Sequence, residues 1–278
     1  MSARLRSIRP LRALVGALLA LYLAVSVYPF LWMLGGGFKS RQDVLGTASP
    51  LPADPTLDGV RAVWDQLDFL TLLLNSTLIT VVSIALILIV FPLAAYAFAV
   101  LEFPLRNALF LLFVGALLVP AVTVLLPIVI LDRNLGLIDT KWGVILPLVN
   151  GAGPLAILIL RAYFASIPRE LRDAARMEGY GELAVFARVY FPLARPALIT
   201  VAVLNCVGIW NEYVLPSVTL NERDSFTLPL GLQNLLSQNV VHWNEVLAAA
   251  TIIVVPIIVL YAVLQRYVNA GLTGAVKG

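Results

Sequence analysis

Six long apolar runs divide the chain of 278 residues and set its fold class. A helix needs about 20 apolar residues to cross the hydrocarbon core of a bilayer, and each of the six runs reaches that length. Only 13% of the residues are charged, whereas a soluble domain carries about 25%. The pattern predicts an all-α integral membrane protein with six transmembrane helices, at residues 13–34, 69–100, 105–131, 142–165, 193–214 and 246–268.

The first run follows four arginines, a combination that also begins secretory signal peptides. Its length of about 22 residues exceeds the roughly 7–15 residues of a signal-peptide core, and no small-x-small cleavage site ends it. We therefore interpret residues 13–34 as the first membrane helix.

The distribution of Lys and Arg predicts the orientation of the helices. With six helices and a cytoplasmic N-terminus, 13 of the 19 Lys and Arg residues lie on or next to the cytoplasmic side, and 11 of the 16 Asp and Glu residues lie outside. Cytoplasmic loops of membrane proteins carry the excess of Lys and Arg. The count predicts that both termini and the loop between helices four and five are cytoplasmic.

That loop, residues 166–196, is the longest charged segment of the chain. Pro168 suits the first turn of a helix, because its missing N–H would have no partner there, and Gly179 suits the position just after a helix end. A helix between them is about 16 Å long and cannot span a core of about 30 Å. A second short helix is expected near residues 182–190, ending before Pro192. The first helix is expected to carry one narrow apolar patch of Leu171, Ala174, Ala175 and Met177.

Periodicity alone favours a plain solvated loop, but the residues of this loop follow a more specific pattern. Asp173-Ala174-Ala175 is followed by Gly179 and then by Val189, Phe191 and Pro192. The segment resembles the EAA loop of binding-protein-dependent ABC importer permeases, whose pattern is Glu-Ala-Ala, three residues, Gly, nine residues and Ile-x-Leu-Pro. Three positions depart conservatively. Asp173 is one methylene shorter than the family's Glu, so any contact of that side chain is expected to be weaker here.

The resemblance implies that this loop docks in a cleft of a separate ATPase subunit. The residues implied in that contact are Pro168, Glu170, Asp173, Ala174, Ala175, Met177, Glu178, Gly179 and Pro192. The implied organisation is an N-terminal arm, first membrane helix and extracytoplasmic loop at 1–68, a permease core at 69–268 and a cytoplasmic tail at 269–278.

The resemblance also implies partners and a location. The partners are a second homologous permease, two ATPase subunits and an extracytoplasmic solute-binding protein, in the inner or plasma membrane of a prokaryotic cell. The chain itself is not expected to be an enzyme or to hold a cofactor. ATP and Mg are expected on the partner ATPase.

Two further segments are similar to the carbohydrate branch of the family, of the maltose-permease type. They are the cluster Trp210-Asn211-Glu212-Tyr213 and the tail 271–278. The similarity implies import of a mono- or oligosaccharide, and a tail that contacts the ATPase pair through Gly271, Leu272, Thr273 and Lys277. A peptide or amino acid as the solute stays open, because the EAA loop does not distinguish these. An ion-coupled secondary transporter is a more distant alternative, and the acidic residues that it would need along the spans are few.

Polar and helix-breaking residues inside the apolar runs indicate where a solute could pass. Residues 150–154 read Asn-Gly-Ala-Gly-Pro and are expected to break their helix, as is tolerated beside a water-filled cavity. The candidate path residues are Asn75, Asn150, Asn205, Trp210, Asn211, Glu212 and Tyr213, whose amide, carboxylate and aromatic groups suit a sugar. For each Asn an interhelical hydrogen bond worth about 1 kcal/mol competes with this interpretation. For the cluster at 210–213 the competing role is an anchor at a helix end.

The sequence indicates no catalytic chemistry of its own. Residues 35–40 read Gly-Gly-Gly-Phe-Lys-Ser, but a phosphate-binding loop needs Gly before the Lys, where Phe38 stands. A single His excludes a His-rich metal site, and the single Cys cannot form an intrachain disulfide. We expect no metal site on this chain.

Overall fold

The computed structural model describes residues 2–66, 68–237 and 240–276, apart from the side chains of residues 2–13, 66, 260, 261 and 263–276. In these residues all regular structure is helical, which confirms the all-α part of the predicted fold class. The chain divides into two compact units. The first comprises Met1–Phe69 and Leu232–Val255, and the second comprises Leu70–Gly231 and Pro256–Gly278.

Fourteen α-helices and one π-helical turn lie in the described residues. The α-helices are α1 (Ser2–Gly36), α2 (Asp43–Gly46), α3 (Asp58–Gln66), α4 (Phe69–Val100), α5 (Arg106–Gly115), α6 (Ala121–Asn134), α7 (Lys141–Ala165), α8 (Arg169–Met177), α9 (Glu182–Val185), α10 (Phe191–Leu193), α11 (Arg195–Trp210), α12 (Val214–Thr219), α13 (Leu228–Leu236) and α14 (Trp243–Val276). The π-helical turn Phe186–Tyr190 joins α9 to α10.

The glycine-rich segment at residues 35–40 lies in close contact with α14 inside the first unit. A Cβ atom on Gly37 would lie 2.9 Å from the Cα atom of Ala248, so glycine lets α14 approach this closely. Lys39 is 1% exposed, and its ammonium donates to Thr47 Oγ1 at 2.9 Å and to the Ser49 carbonyl at 2.6 Å. The segment therefore has a structural role in this unit.

The core of the second unit is built on α7 and α11. Val144, Ile157 and Leu160 of α7, like Val201 of α11, are at most 1% exposed. These side chains come from the fourth and fifth predicted runs, so two of the apolar runs pack on each other.

The expected helix break at residues 150–154 is wrong. α7 continues through the segment, although Pro154 lies inside it. The missing N–H of Pro154 removes one helix hydrogen bond, and the apolar turns on both sides hold the helix together through packing. Gly153 is buried, and a Cβ atom there would lie 2.5 Å from the ring of Phe91. Glycine at position 153 thus leaves room for the Phe91 ring of α4 against α7.

Three helices have the length and composition of single membrane spans, namely Leu14–Gly36, Phe69–Val100 and Lys141–Ala165. Two pairs of helices pass the same criteria together, each with a sharp bend between its members. Arg106–Leu118 is bent by 102° against Ala121–Asn134. Glu182–Leu193 is bent by 75° against Arg195–Trp210. The sixth predicted run lies in α14, of which Trp243–Val259 is a shorter apolar stretch. Several apolar helices are therefore confirmed, while the number six and the orientation stay predictions.

The second short helix does not end before Pro192 as predicted. The π-helical turn at Phe186–Tyr190 supplies a wider turn that accommodates the missing N–H of Pro192. The helical path then runs through Pro192 to Leu193 and bends at Ala194.

Candidate functional site

Helix α8 begins and ends at the residues that the sequence indicated. Pro168 stands at its N-cap with ψ of 133°, and the preceding Ile167 is 9% exposed. At the other end Gly179 has φ of +87°. Its N–H donates to the Arg176 carbonyl at 3.0 Å, and the N–H of Tyr180 donates to the Ala175 carbonyl at 3.2 Å. This pair of bonds is a Schellman motif, in which glycine turns the chain sharply away from the helix.

The apolar residues of α8 do not form one patch, which corrects the expectation. Ala175 is 7% exposed and belongs to the core, whereas Met177 is 90% exposed. Successive residues of a helix differ by 100° in direction, so residues 175 and 177 lie on opposite sides. The surface that points away from the core, the outer face of α8, consists of Glu170, Asp173, Ala174 and Met177, all of them exposed.

Glu182, at the start of α9, holds α8 in place. Its Oε1 atom accepts from Arg172 Nη2 at 2.7 Å and from Arg176 Nη1 at 2.6 Å. Glu182 lies before the apolar run 193–214. The hydrogen bond from Arg172 is the main cause that lowers the pKa of Glu182. The same bond raises the pKa of Arg172. The pair is therefore fully ionised near neutral pH.

Tyr96, near the end of α4, binds the other oxygen of the same carboxylate. Its hydroxyl donates to Glu182 Oε2 at 2.8 Å, and its ring is 3% exposed. The ring lies 6.2 Å from that of Phe164, 5.4 Å from that of Phe186 and 5.0 Å from that of Tyr190, measured between centroids. We call these four rings the aromatic cluster. Aromatic pairs at these distances stabilise a structure by more than the burial of their apolar area alone provides.

The sequence patterns did not indicate Tyr96 and Glu182 as functional residues. The only local signal was the position of Tyr96 near the end of a long apolar run and that of Glu182 just after a glycine turn. Glu178 and Pro192 were predicted from the sequence. Glu178 lies at the end of α8 and is exposed, whereas Pro192 lies in α10 and is half-buried.

A cleft of about 540 Å³ opens among α6, α7 and α11. Among the predicted path residues, Asn205 and Glu212 line it. Asn205 Nδ2 donates to the Val201 carbonyl at 2.8 Å. Glu212 Oε1 accepts from the N–H groups of Val214 at 2.7 Å and Leu215 at 3.2 Å, and so caps α12. Most of the remaining lining is apolar, with Gly151 and Gly208 leaving room beside it.

The other predicted path residues lie outside this cleft. Asn75 is 5% exposed and donates to the carbonyls of Asp224 and Phe226 at 2.8 and 2.9 Å, so it anchors a loop. Trp210 is 8% exposed, whereas Asn150, Asn211 and Tyr213 are exposed without lining the cleft.

The predicted tail contacts fall at the edge of the described residues. Gly271, Leu272 and Thr273 lie in the backbone of α14, but their side chains are outside the described part, and Lys277 lies outside the described residues altogether. Within the described residues no group of three or more His, Cys, Asp or Glu side chains could hold a metal ion.

Residues 92–274 match the family of binding-protein-dependent transport system inner membrane components. The match covers well over half of the chain. The chain belongs to this family. It is thus a multi-pass inner-membrane component of an ABC importer, and the family consists of transport subunits rather than enzymes.

Relatives and a solved structure agree with this membership over nearly the whole chain. An arabinooligosaccharides transport system permease protein of Halalkalibacterium halodurans is 35% identical, covering 91% of this chain and 92% of its own. A trehalose transport system permease protein of Mycobacterium tuberculosis is 35% identical, covering 93% and 95%. A chain of a bacterial ABC transporter involved in the import of the acidic polysaccharide alginate has 26% identity and a TM-score of 0.83, covering 94% of this permease and 98% of that chain.

Proposed function

We propose that this permease imports an oligosaccharide, and that α8 is the element through which an ATPase subunit drives it. The observation that carries the proposal is the outer face of α8. It projects Glu170, Asp173, Ala174 and Met177 into solvent, while Ala175 holds the opposite side of the helix in the core. The relatives that transport arabinooligosaccharides and trehalose support a sugar as the solute.

The proposed arrangement has six spans with both termini in the cytoplasm. The bend at Ala194 coincides with the start of the apolar run 193–214, so we place α8 to α10 on the cytoplasmic side and α11 in the membrane. The excess of Lys and Arg on the same side supports this placement.

Coupling follows from docking of the outer face of α8 in the ATPase subunit. ATP and Mg are bound by two ATPase subunits, and closure of those subunits moves α8. A second, homologous permease completes the membrane part, and an extracytoplasmic binding protein delivers the solute. Each ligand shifts the transporter between its states only through a difference in affinity for them. The tail residues Gly271, Leu272, Thr273 and Lys277 are proposed as an additional ATPase contact.

The cleft lined by Asn205 and Glu212 is the proposed contribution of this chain to the solute path. An apolar wall suits the C–H faces of a sugar, and a few polar groups orient its hydroxyls. The paired permease is expected to supply the rest of the path.

Uptake by cells tests the function. The gene is deleted, and uptake of radiolabelled trehalose, an arabinooligosaccharide, a dipeptide and an amino acid is measured with and without a plasmid copy. We expect the deletion to abolish uptake of one of the two sugars and the plasmid copy to restore it. If uptake of the dipeptide or the amino acid is lost instead, the permease belongs to a non-sugar importer. Unchanged uptake of all four solutes would contradict the proposal for these solutes.

The ATPase contact has a separate test. The permease is purified from its native membrane, and the ATPase subunit is expected to co-purify with it and to lose that association when the outer face of α8 is changed. A variant that lacks residues 271–278 should insert normally and transport less.

A further inference from the structure

The position of α8 depends on few contacts. Of its nine residues, Ala175 alone is buried, and alanine offers little apolar area to pack. In the described part of the chain, the short side-chain hydrogen bonds of α8 to other elements end on Glu182, and the Tyr96 hydroxyl also lies beside Arg172. A displacement of α8 is therefore transmitted through its chain connections at Pro168 and Gly179, through the packing of Ala175, and through the carboxylate of Glu182.

Glu182 connects α8 to the longest helix of the second unit. One carboxylate oxygen binds the two arginines of α8, and the other binds the hydroxyl of Tyr96. Tyr96 lies in α4, which runs unbroken over 32 residues. Hydrogen bonds to an ionised carboxylate are shorter and stronger than those between neutral groups. The path from α8 to a membrane-spanning helix thus consists of strong, directional contacts.

The ring of Tyr96 is held independently of its hydroxyl. Phe164 of α7 and two rings of the π-helical turn surround it, and those contacts do not involve oxygen. Removal of the hydroxyl therefore leaves the packing in place and breaks one link between α4 and α8.

We propose that Tyr96 is a positioning residue for transport, which acts through Glu182 to make α4 follow α8 when the ATPase subunits close. The role proposed for Tyr96 is not catalytic, and the residue does not line the cleft proposed for the solute. The proposal rests on the proposed function of α8 as the ATPase contact.

The experiment compares Tyr96→Phe with Tyr190→Phe. Both changes remove one hydroxyl from the aromatic cluster, and both residues are buried. Within the described part of the chain the Tyr190 hydroxyl donates no hydrogen bond to Glu182, although it lies in the field of Arg172 and Arg169. Its removal is therefore the control for loss of a hydroxyl near α8 without loss of the bond to Glu182. The complete transporter is reconstituted in vesicles, and ATP hydrolysis and uptake of the radiolabelled sugar found in the deletion experiment are measured together.

We expect Tyr96→Phe to lower the sugar molecules moved per ATP hydrolysed by about three- to tenfold, a common size for changes along a coupling path. Tyr190→Phe should keep the wild-type ratio. In a Glu182→Ala background, Tyr96→Phe should have a smaller effect than in the wild type, because residues of one hydrogen-bond network do not act additively.

Equal ratios for the two Phe variants would overturn the proposal, and so would fully additive effects of Tyr96→Phe and Glu182→Ala. If Glu182→Ala does not assemble, the comparison of the two Phe variants decides alone. A wild-type permease that binds no ATPase subunit would instead refute the proposed function. A wild type that binds its ATPase and transports, with Tyr96→Phe equal to Tyr190→Phe, would refute only the role of Tyr96.

Discussion

The backbone N–H of Tyr180 donates to the carbonyl of Ala175 at 3.2 Å, and Gly179 lies between them with φ of +87°. A Cβ atom on Gly179 would meet no other atom within 4 Å. The cost of a side chain there comes from the backbone conformation and not from a collision. Substitution at Gly179 therefore changes the direction of α8 without disturbing a packed contact.

Gly179→Val should cost about 1–2 kcal/mol locally, because a β-branched residue resists positive φ. The spans are stabilised by their own packing, so we expect near-normal membrane levels, poor sugar uptake, and either loss of the ATPase subunit or loss of its stimulation by the binding protein. Gly179→Ala should be milder. Immunoblotting, uptake and ATPase assays check this. Normal transport by the Val variant, or a defect only in insertion, would show that the loop is not the coupling element.

The two sides of α8 should respond differently to substitution. Met177→Glu changes an exposed side chain, so the permease should stay stable while co-purification of the ATPase falls. Ala175→Leu adds volume to a packed core and should destabilise the permease by about 1–3 kcal/mol. Thermal melting in detergent and quantification of the bound ATPase distinguish these results. A Met177→Glu variant that binds its ATPase normally would place the docking surface elsewhere.

The orientation of the chain can be tested by thiol labelling. In a Cys206→Ala background, single cysteines replace Ala53, Gly181 or Ala275. An impermeant maleimide applied to intact cells should label the cysteine at 53, which lies in the proposed extracytoplasmic loop, and leave those at 181 and 275 unlabelled until the cells are opened. Labelling at 181 from outside would reverse the proposed topology.

The cleft residues should affect uptake more than a polar residue outside the cleft. Asn205→Leu removes an amide from the lining, and loss of one hydrogen bond to the solute, about 1 kcal/mol, corresponds to about a fivefold weaker interaction. We expect a rise in the KM of uptake of this size. Asn150→Leu, exposed but outside the cleft, is the control and should retain wild-type uptake. Equal behaviour of the two variants would remove Asn205 from the solute path.

Local sequence patterns were sufficient for the features that depend on neighbouring residues. The long apolar runs predicted membrane helices, because a helix satisfies its own backbone groups and its length is set by the bilayer. Pro168 and Gly179 predicted where α8 begins and ends, since a missing N–H and a positive φ are properties of single residues. The same local rules failed at residues 150–154 and at Pro192, where packing and a π-helical turn carry the helix past its prolines.

The sequence by itself determined the all-α membrane class and the short helix of the charged loop, because apolar length and turn residues act locally. Only the tertiary structure decided that Ala175 faces the core while Met177 faces solvent, and that Asn205 lines a cleft while Asn75 anchors a loop. Only it brought Tyr96 to Glu182 across 86 residues of chain. A periodic pattern shows which residues share a side of a helix, but the partner of that side is set by how distant helices pack.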